Sequence, residues 1–296
     1  MKTEEQLKAI VREKYTEIAQ NEKSVNAASC CGATDVTNEV YNIMTDDYGS
    51  VQGYEANADL GLGCGLPTQY ANISPGDTVI DLGAGAGNDC FVARHEVGDK
   101  GKVIGIDFTD AMISKARKNA DHLGFNNVEF RFGDIEEMPV ADNTADVVVS
   151  NCVLNLVPNK KAVLSEVHRV LKPGGHFSIS DIVLIGELPD RLKHDAEMYA
   201  GCVSGAIQKE EYLGYIHALG FENIVVQKEK TISIPNDLLS KYLSPDEVST
   251  FNQGNVGIYS ITVYASKPGA LNKKSPVAMT SESDEVPCCA PGSGCC

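Results

Sequence analysis

The chain has 296 residues, with 25 lysines and arginines against 41 aspartates and glutamates, a net charge of −16. That length fits one large domain with appendages. The charge argues against a duplex nucleic-acid binder and against docking on an anionic membrane, both of which want basic surface. No apolar run approaches the ~18 residues of a membrane-spanning helix.

The amino terminus, MKTEEQLKAIVREKY, lacks the apolar core of a signal peptide. Leu7, Ile10, Val11 and Ile18 share one helical face, and Thr3 with Gln6 forms a capping box ahead of them. The pattern predicts a helix over 3–21 in a cytoplasmic protein. Residues 22–75 hold little periodicity and read as a long, loop-rich stretch, the kind that is functional or mobile in a compact domain. Then the signal sharpens. DTVIDL (77–82) reads as a buried strand, followed by a glycine turn and a helix through Phe91. KVIGID (102–107) is a second strand, with a helix over 109–123. NVEFRF (127–132) and ADVVVS (145–150) follow as strands. A helix over 159–171 stops at Lys172-Pro173-Gly174-Gly175, and HFSISDIVL (176–184) is a fifth strand. Helices near 190–205 and 208–219 and strands near 222–232 and 257–265 complete the pattern. This alternation predicts an α/β fold with a mostly parallel, seven-stranded, doubly wound sheet. Residues 267–296 carry almost no core residues and read as a disordered tail.

Ten cysteines are present: Cys30, Cys31, Cys64, Cys90, Cys152, Cys202, Cys288, Cys289, Cys295 and Cys296. In a reducing compartment that number points to soft-ligand or redox chemistry rather than a disulfide framework. No CxxC…CxxC spacing supports a zinc ribbon. Cys90, within the helix after the glycine turn, reads as core.

Asp81-Leu82-Gly83-Ala84-Gly85-Ala86-Gly87 closes the first strand and opens a helix. Its spacing is GxGxG, unlike a pyrophosphate fingerprint, and no Gly-Lys-Ser/Thr follows to make a P-loop. Asp107 ends the second strand, where a ribose diol is held in such sheets. Gly133-Asp134-Ile135 follows the third strand, at a position to bound an adenine. With DLGAGAG, IGID, GDIEEMP and VLKPGG in order, the chain resembles the class I S-adenosylmethionine-dependent methyltransferases over about 76–185. The resemblance implies S-adenosylmethionine contacts at Asp81, Gly83, Gly85, Gly87, Asn88, Asp107, Met112, Asp134, Ile135 and Asn151. Glu166 and Arg169 of EVHRVLKPGG read as structural.

Ligands in an open α/β sheet bind beyond the carboxyl ends of the strands. Cys152 lies there, just after the fourth strand. Cys202 lies on or just after the helix that follows the fifth strand, and Cys64, between glycines, reads as part of a mobile turn. Three thiolates around a methyl donor suit a soft, three-coordinate centre, and trivalent arsenic fits that description. GLGCGLP, SNCVLNLVP and GCVSGA, in this order, resemble the arsenite S-adenosylmethionine methyltransferases over about 25–232. That resemblance implies Cys152 and Cys202 as arsenic ligands and Cys64 as third ligand and redox partner. It further implies that Cys30 or Cys31 pairs with Cys64 during turnover, with a thioredoxin-like protein or glutathione as reductant. The expected division is 1–75 for the helix and substrate-capping loops, 76–266 for the methyltransferase domain with an arsenic-binding insert near 190–232, and 267–296 for the tail. The tail cysteines resemble terminal Cys-Cys pairs of some members.

The chemistry needs no general base, because the arsenic lone pair is itself the nucleophile. Of six histidines, His95, His122, His168 and His194 are expected on exposed helix faces. Two other readings remain open. One is a methyltransferase for a small organic substrate such as a quinone or sterol precursor. The other is a thiol sensor or metal-sequestering protein on the same fold.

Overall fold

The computed structural model describes residues 3–20, 46–187, 189, 205–232, 236–253 and 257–269. Cys30, Cys31, Cys202, His194, the expected helix near 190–205 and the four tail cysteines lie outside the described residues.

Helix α1 spans Glu4–Gln20. Its start is the expected capping box: the Thr3 amide donates to Gln6 Oε1 at 2.9 Å and the Gln6 amide to Thr3 Oγ1 at 3.3 Å. A short α2 covers Pro67–Tyr70, with the proline at the first helical position, where no amide hydrogen is needed. Then come β1 (Thr78–Leu82), α3 (Asn88–Val97), β2 (Lys102–Asp107), α4 (Asp110–Leu123), β3 (Val128–Phe132) and β4 (Ala145–Asn151). They are followed by a 3-10 turn at Leu154–Leu156, α5 (Lys160–Val170), β5 (Leu171–Ile185), α6 (Lys209–Ala218) and β6 (Glu222–Ile232). Short helices α7 (Asn236–Leu239) and α8 (Pro245–Gln253) precede β7 (Gly257–Ser266).

The seven strands lie in the order β3-β2-β1-β4-β5-β7-β6. The first five are parallel, and β7 runs antiparallel between β5 and β6. Side chains alternate across the sheet with period two. Ile80, Ile104 and Val148 pack on one face with Val163, Leu164 and Val167 of α5 and Tyr212 and Ile216 of α6. Val79, Val103 and Val147 pack on the other with Phe91 and Val97 of α3, Ile113 and Ala116 of α4, and Ile18 of α1. Burial on both faces explains why β1, β2 and β4 read as unbroken apolar runs.

Several boundaries differ from expectation. Helix α3 runs past Phe91 to Val97 and ends at Gly98 (φ +66°). Lys172-Pro173-Gly174-Gly175 ends the helix but already belongs to β5. Of the segment expected as an insert near 190–232, residues 209–232 are α6 and the edge strand β6 of the sheet itself. His168 is not fully exposed: its ring meets Phe221 edge-on at 5.1 Å. Glu166 and Arg169 are structural as read. They form a bidentate pair, and Glu166 also accepts the Met138 amide at 2.7 Å, which ties α5 to the loop before β4.

Gly105 of β2 sets how closely the glycine turn approaches the sheet. A Cβ there would lie 2.7–2.8 Å from the Phe130 ring, Ala84 Cβ and Cys90 Sγ. Gly105→Val is therefore expected to destabilise the protein by about 1–3 kcal/mol through overpacking, read as a lower urea midpoint at unchanged slope.

Candidate active site

The carboxyl ends of β1, β2 and β4 open into a cleft formed by two adjoining cavities. The first, of about 640 Å³, is lined by Asp81, Gly83, Gly85, Asn88, Asp89, Asp107, Asn151 and Cys152, among others. The second, of about 530 Å³, includes Lys8, Val11, Phe108, Asp134 and Ile135. Tyr15, Gly83, Asp107 and Val153 line both, so they form one continuous groove.

The glycine turn builds the floor. Gly83, Gly85 and Gly87 take φ of +65°, +53° and +101°, a region that L side chains rarely adopt. Gly87 is also sterically required, because a Cβ would lie 2.8–2.9 Å from the Phe130 and Phe91 rings. It packs away from the cavities, whereas Gly85 has open space where a side chain would be. Asp107 shapes the turn: Oδ2 accepts the Gly85 amide at 3.0 Å and Oδ1 the Thr109 amide at 2.8 Å. Burial raises its pKa, and those two amides pull it back down.

Of the other expected cofactor contacts, Asp81, Asn88 and Asn151 line the first cavity and Asp134 and Ile135 the second. Met112 does not join them. It is fully buried on the core side of α4 and lines neither cavity.

Cys152 follows β4 directly and lines the first cavity. Cys64 lies behind it, in the same apolar cluster as Cys152, Ile182 and Val11. The expectation of a mobile turn at Cys64 is not met. Its residue is 0% exposed, its amide and that of Gly65 donate to Asn151 Oδ1 at 3.0 and 3.2 Å, and its carbonyl accepts from Ser260 Oγ. The flanking glycines serve close packing instead: a Cβ at Gly63 would lie 2.6 Å from Asn151 Nδ2, and one at Gly65 2.5 Å from Ser180 Oγ. Among the described residues no group of three His, Cys, Asp or Glu side chains forms a metal site. The third expected thiol, Cys202, lies outside the described residues.

Four participants have no clear signal in the sequence. Asn151 Nδ2 donates to the Tyr48 hydroxyl at 2.6 Å and the Gly65 carbonyl at 2.8 Å, and the Tyr48 hydroxyl donates onward to Asp89 at 2.9 Å. Asp89 stands only two residues after the last glycine of the turn, the one hint a reader of the sequence has. Tyr48 has none, being 41 residues away from its partner. From α1, Tyr15 lines both cavities, and Lys8 pairs with Asp134 at 2.6 Å and with Glu136.

The comparisons with known proteins follow this geometry. The methyltransferase domain family matches residues 73–235. An arsenite methyltransferase of Halobacterium salinarum is 40% identical over 279 residues, covering 89% of this chain and 67% of that one. One from Aquipseudomonas alcaligenes is 33% identical over 240 residues, 79% of this chain and 67% of its own. The chain belongs to the arsenite methyltransferase family. The crystal structure of an arsenic(III) S-adenosylmethionine methyltransferase from Chlamydomonas reinhardtii superposes with a TM-score of 0.59 at 33% identity, covering 70% of this chain and 68% of that one. The chain thus spans about two thirds of the length of these proteins.

The cofactor of the family is S-adenosylmethionine, and the groove fits it on two counts. Asn88 Oδ1 is buried beside the first cavity without a hydrogen-bond partner, so acceptor capacity is left for a ligand. The first cavity also concentrates carboxylates: Asp59, Asp81, Asp89 and Asp107. Burial pushes Asp81 well above its ordinary value, helped by the neighbouring charge of Asp89. Burial likewise raises Asp89, from 3.8 to about 6, against the opposing hydrogen bonds from Tyr48 and Asn151. Ionising these carboxylates is costly, and a nearby cation lowers that cost; the methyl donor carries a positive charge on its sulfonium.

The sign of the pH effect follows. As pH falls through about 6, Asp89 takes up a proton and the cavity loses a negative charge. S-adenosylmethionine affinity is therefore expected to fall between pH 7.5 and 5, measured by titration calorimetry. S-adenosylhomocysteine, which lacks the sulfonium charge, is expected to change less, and Asp89→Asn to flatten the difference. Parallel profiles for both ligands in the wild type would refute the electrostatic role.

Proposed function

We propose that the protein methylates trivalent arsenic held as a trithiolate by Cys64, Cys152 and Cys202. The observation that carries this reading is the burial of Cys64 and Cys152 in one apolar cluster, with Cys152 lining the groove. Two thiols close together there suit a soft ligand.

S-adenosylmethionine supplies an electrophilic methyl group when bound. The chain's own part is alignment. The glycine turn and Asp107 fix one reactant on the floor of the groove, and the Cys152 turn fixes arsenic above it. Orientation of this kind lowers a barrier by several kcal/mol without a proton transfer. Transfer of that methyl group to the lone pair of the cysteine-held arsenic would release S-adenosylhomocysteine and leave arsenic formally pentavalent. Two thiolates then return two electrons by forming a disulfide, and arsenic reverts to the trivalent state. Cys64 is the thiol we assign to that step, paired with Cys30 or Cys31. A dithiol reductant of the thioredoxin type, or glutathione, must reduce the disulfide before the next cycle. Such chemistry suits a reducing cytoplasm and a role in arsenic detoxification. Among the described residues no helix is long and apolar enough to cross a membrane.

The assignments separate by substrate. Cys152→Ser and Cys202→Ser are each expected to lower methylation of arsenite and of monomethylated arsenic by ~100-fold or more. Cys64→Ser, or Cys30→Ser with Cys31→Ser, is expected to abolish turnover of arsenite and spare that of the monomethylated species. The readout is S-adenosylhomocysteine release in the presence of a thiol reductant. Full activity of Cys152→Ser on arsenite would leave a methyltransferase for an organic substrate.

A further inference from the structure

The turn that carries Cys152 is strained. Cys152 has φ +61°, in the left-handed region. The other non-glycine residues with positive φ in the described chain are Asn72, Asn143 and Asn223, and asparagine tolerates that region. A cysteine there persists only where its surroundings impose it.

Those surroundings form a buried latch between this turn and β5. The Cys152 amide donates to the Ser180 carbonyl at 2.8 Å. Three residues on, Asn155 Nδ2 donates to Asp181 Oδ1 at 2.8 Å and to the Ile182 carbonyl at 2.7 Å. Asp181 Oδ1 also accepts the Ile182 amide at 2.9 Å. Asn155 and Asp181 are 0% exposed, and neither lines the groove. Between the two ends of the latch, Val153 presses on the glycine turn so closely that a Cβ at Gly83 would lie 2.5 Å from its Cγ2. The turn is thus clamped from β5 on one side and seated on the cofactor floor on the other.

We propose that Asn155 and Asp181 are positioning residues for the arsenic ligand: by locking residues 152–156 to β5 they hold Cys152 in its left-handed conformation, with its side chain at the groove. The proposal rests on the reading of Cys152 as an arsenic ligand. It assigns the work to one oxygen of Asp181, the one that receives the Asn155 amide.

The test has two arms. In the first, Asn155→Ala raises the arsenite concentration for half-maximal turnover by about 10–100-fold, the scale seen when groups behind a ligand are removed. The S-adenosylmethionine Kd stays within about twofold, because neither residue lines the groove. Asp181→Ala behaves like Asn155→Ala, and Asp181→Asn, which keeps an oxygen acceptor, recovers most of the affinity lost in Asp181→Ala. The second arm needs no arsenic. Cys152→Gly melts about 2–4 °C above Cys152→Ala, since glycine bears no left-handed penalty. That gap narrows in the Asn155→Ala background, where the turn can relax. Equal melting temperatures for the two Cys152 variants would overturn the strain. Unchanged arsenite dependence in Asn155→Ala, beside loss in Cys152→Ser, would overturn the positioning role. Retained arsenite dependence in Cys152→Ser would instead remove the ligand reading, and the melting arm would still report on the latch. If Asn155→Ala does not fold, the comparison of Asp181→Asn with Asp181→Ala and the Cys152 pair decide the question.

Discussion

The side-chain amide of Asn151 is the interaction on which the site depends. It stands at the last position of β4 and joins three segments distant in sequence. Its oxygen takes the amides of Cys64 and Gly65, and its nitrogen reaches Tyr48 and the Gly65 carbonyl. Through Tyr48 it reaches Asp89, at the head of the helix that follows the glycine turn. A carboxamide suits this place because it donates and accepts at once, and a carboxylate could only accept. The Cys64 loop and the cofactor floor are therefore parts of one hydrogen-bonded unit, and neither can shift without the other.

The charge balance of that unit runs against stability. Four carboxylates, Asp59, Asp81, Asp89 and Asp107, share one cavity with no lysine or arginine among its lining residues. Burial raises the pKa of Asp81, Asp89 and Asp107, and ionised neighbours repel one another. Such clustering lowers the stability of the empty protein, and a bound cation relieves it. The groove thus holds part of its binding energy as repulsion awaiting a positive ligand.

Much of this was legible in the sequence, and what was not has a physical cause. The parallel strands were readable because both faces are buried, which leaves continuous apolar runs such as Val147–Val149. The helix start at Thr3 was readable from local capping chemistry, whereas the cap at Asn159, whose side chain accepts the Ala162 amide, appears only in the structure. The glycine turn and Asp107 were legible because both lie within one β-α-β unit, from β1 to the end of β2. Tyr48, Asp89 and Asn151 meet only through the fold, across 41 and 62 residues, and no periodicity encodes such a meeting. Gly63 and Gly65 were misread for a related reason. Glycine serves both freedom and close approach, and only the neighbours, Asn151 and Ser180, tell which. Met112 lines neither cavity because its side chain is packed in the core between α4 and the sheet.

Helix α1 has a consequence for where this protein begins as a functional unit. The family match starts at residue 73 and encloses the sheet's first strand, the glycine turn and Cys152. Yet Lys8, Val11 and Tyr15 form a wall of the groove from outside that boundary. A chain trimmed to the matched residues would lose β7, the strand between β5 and β6, at one end. At the other end it would lose α1, and with it one wall of the groove. The matched unit and the unit that builds the groove are here of different lengths, and one boundary of the second is set by α1.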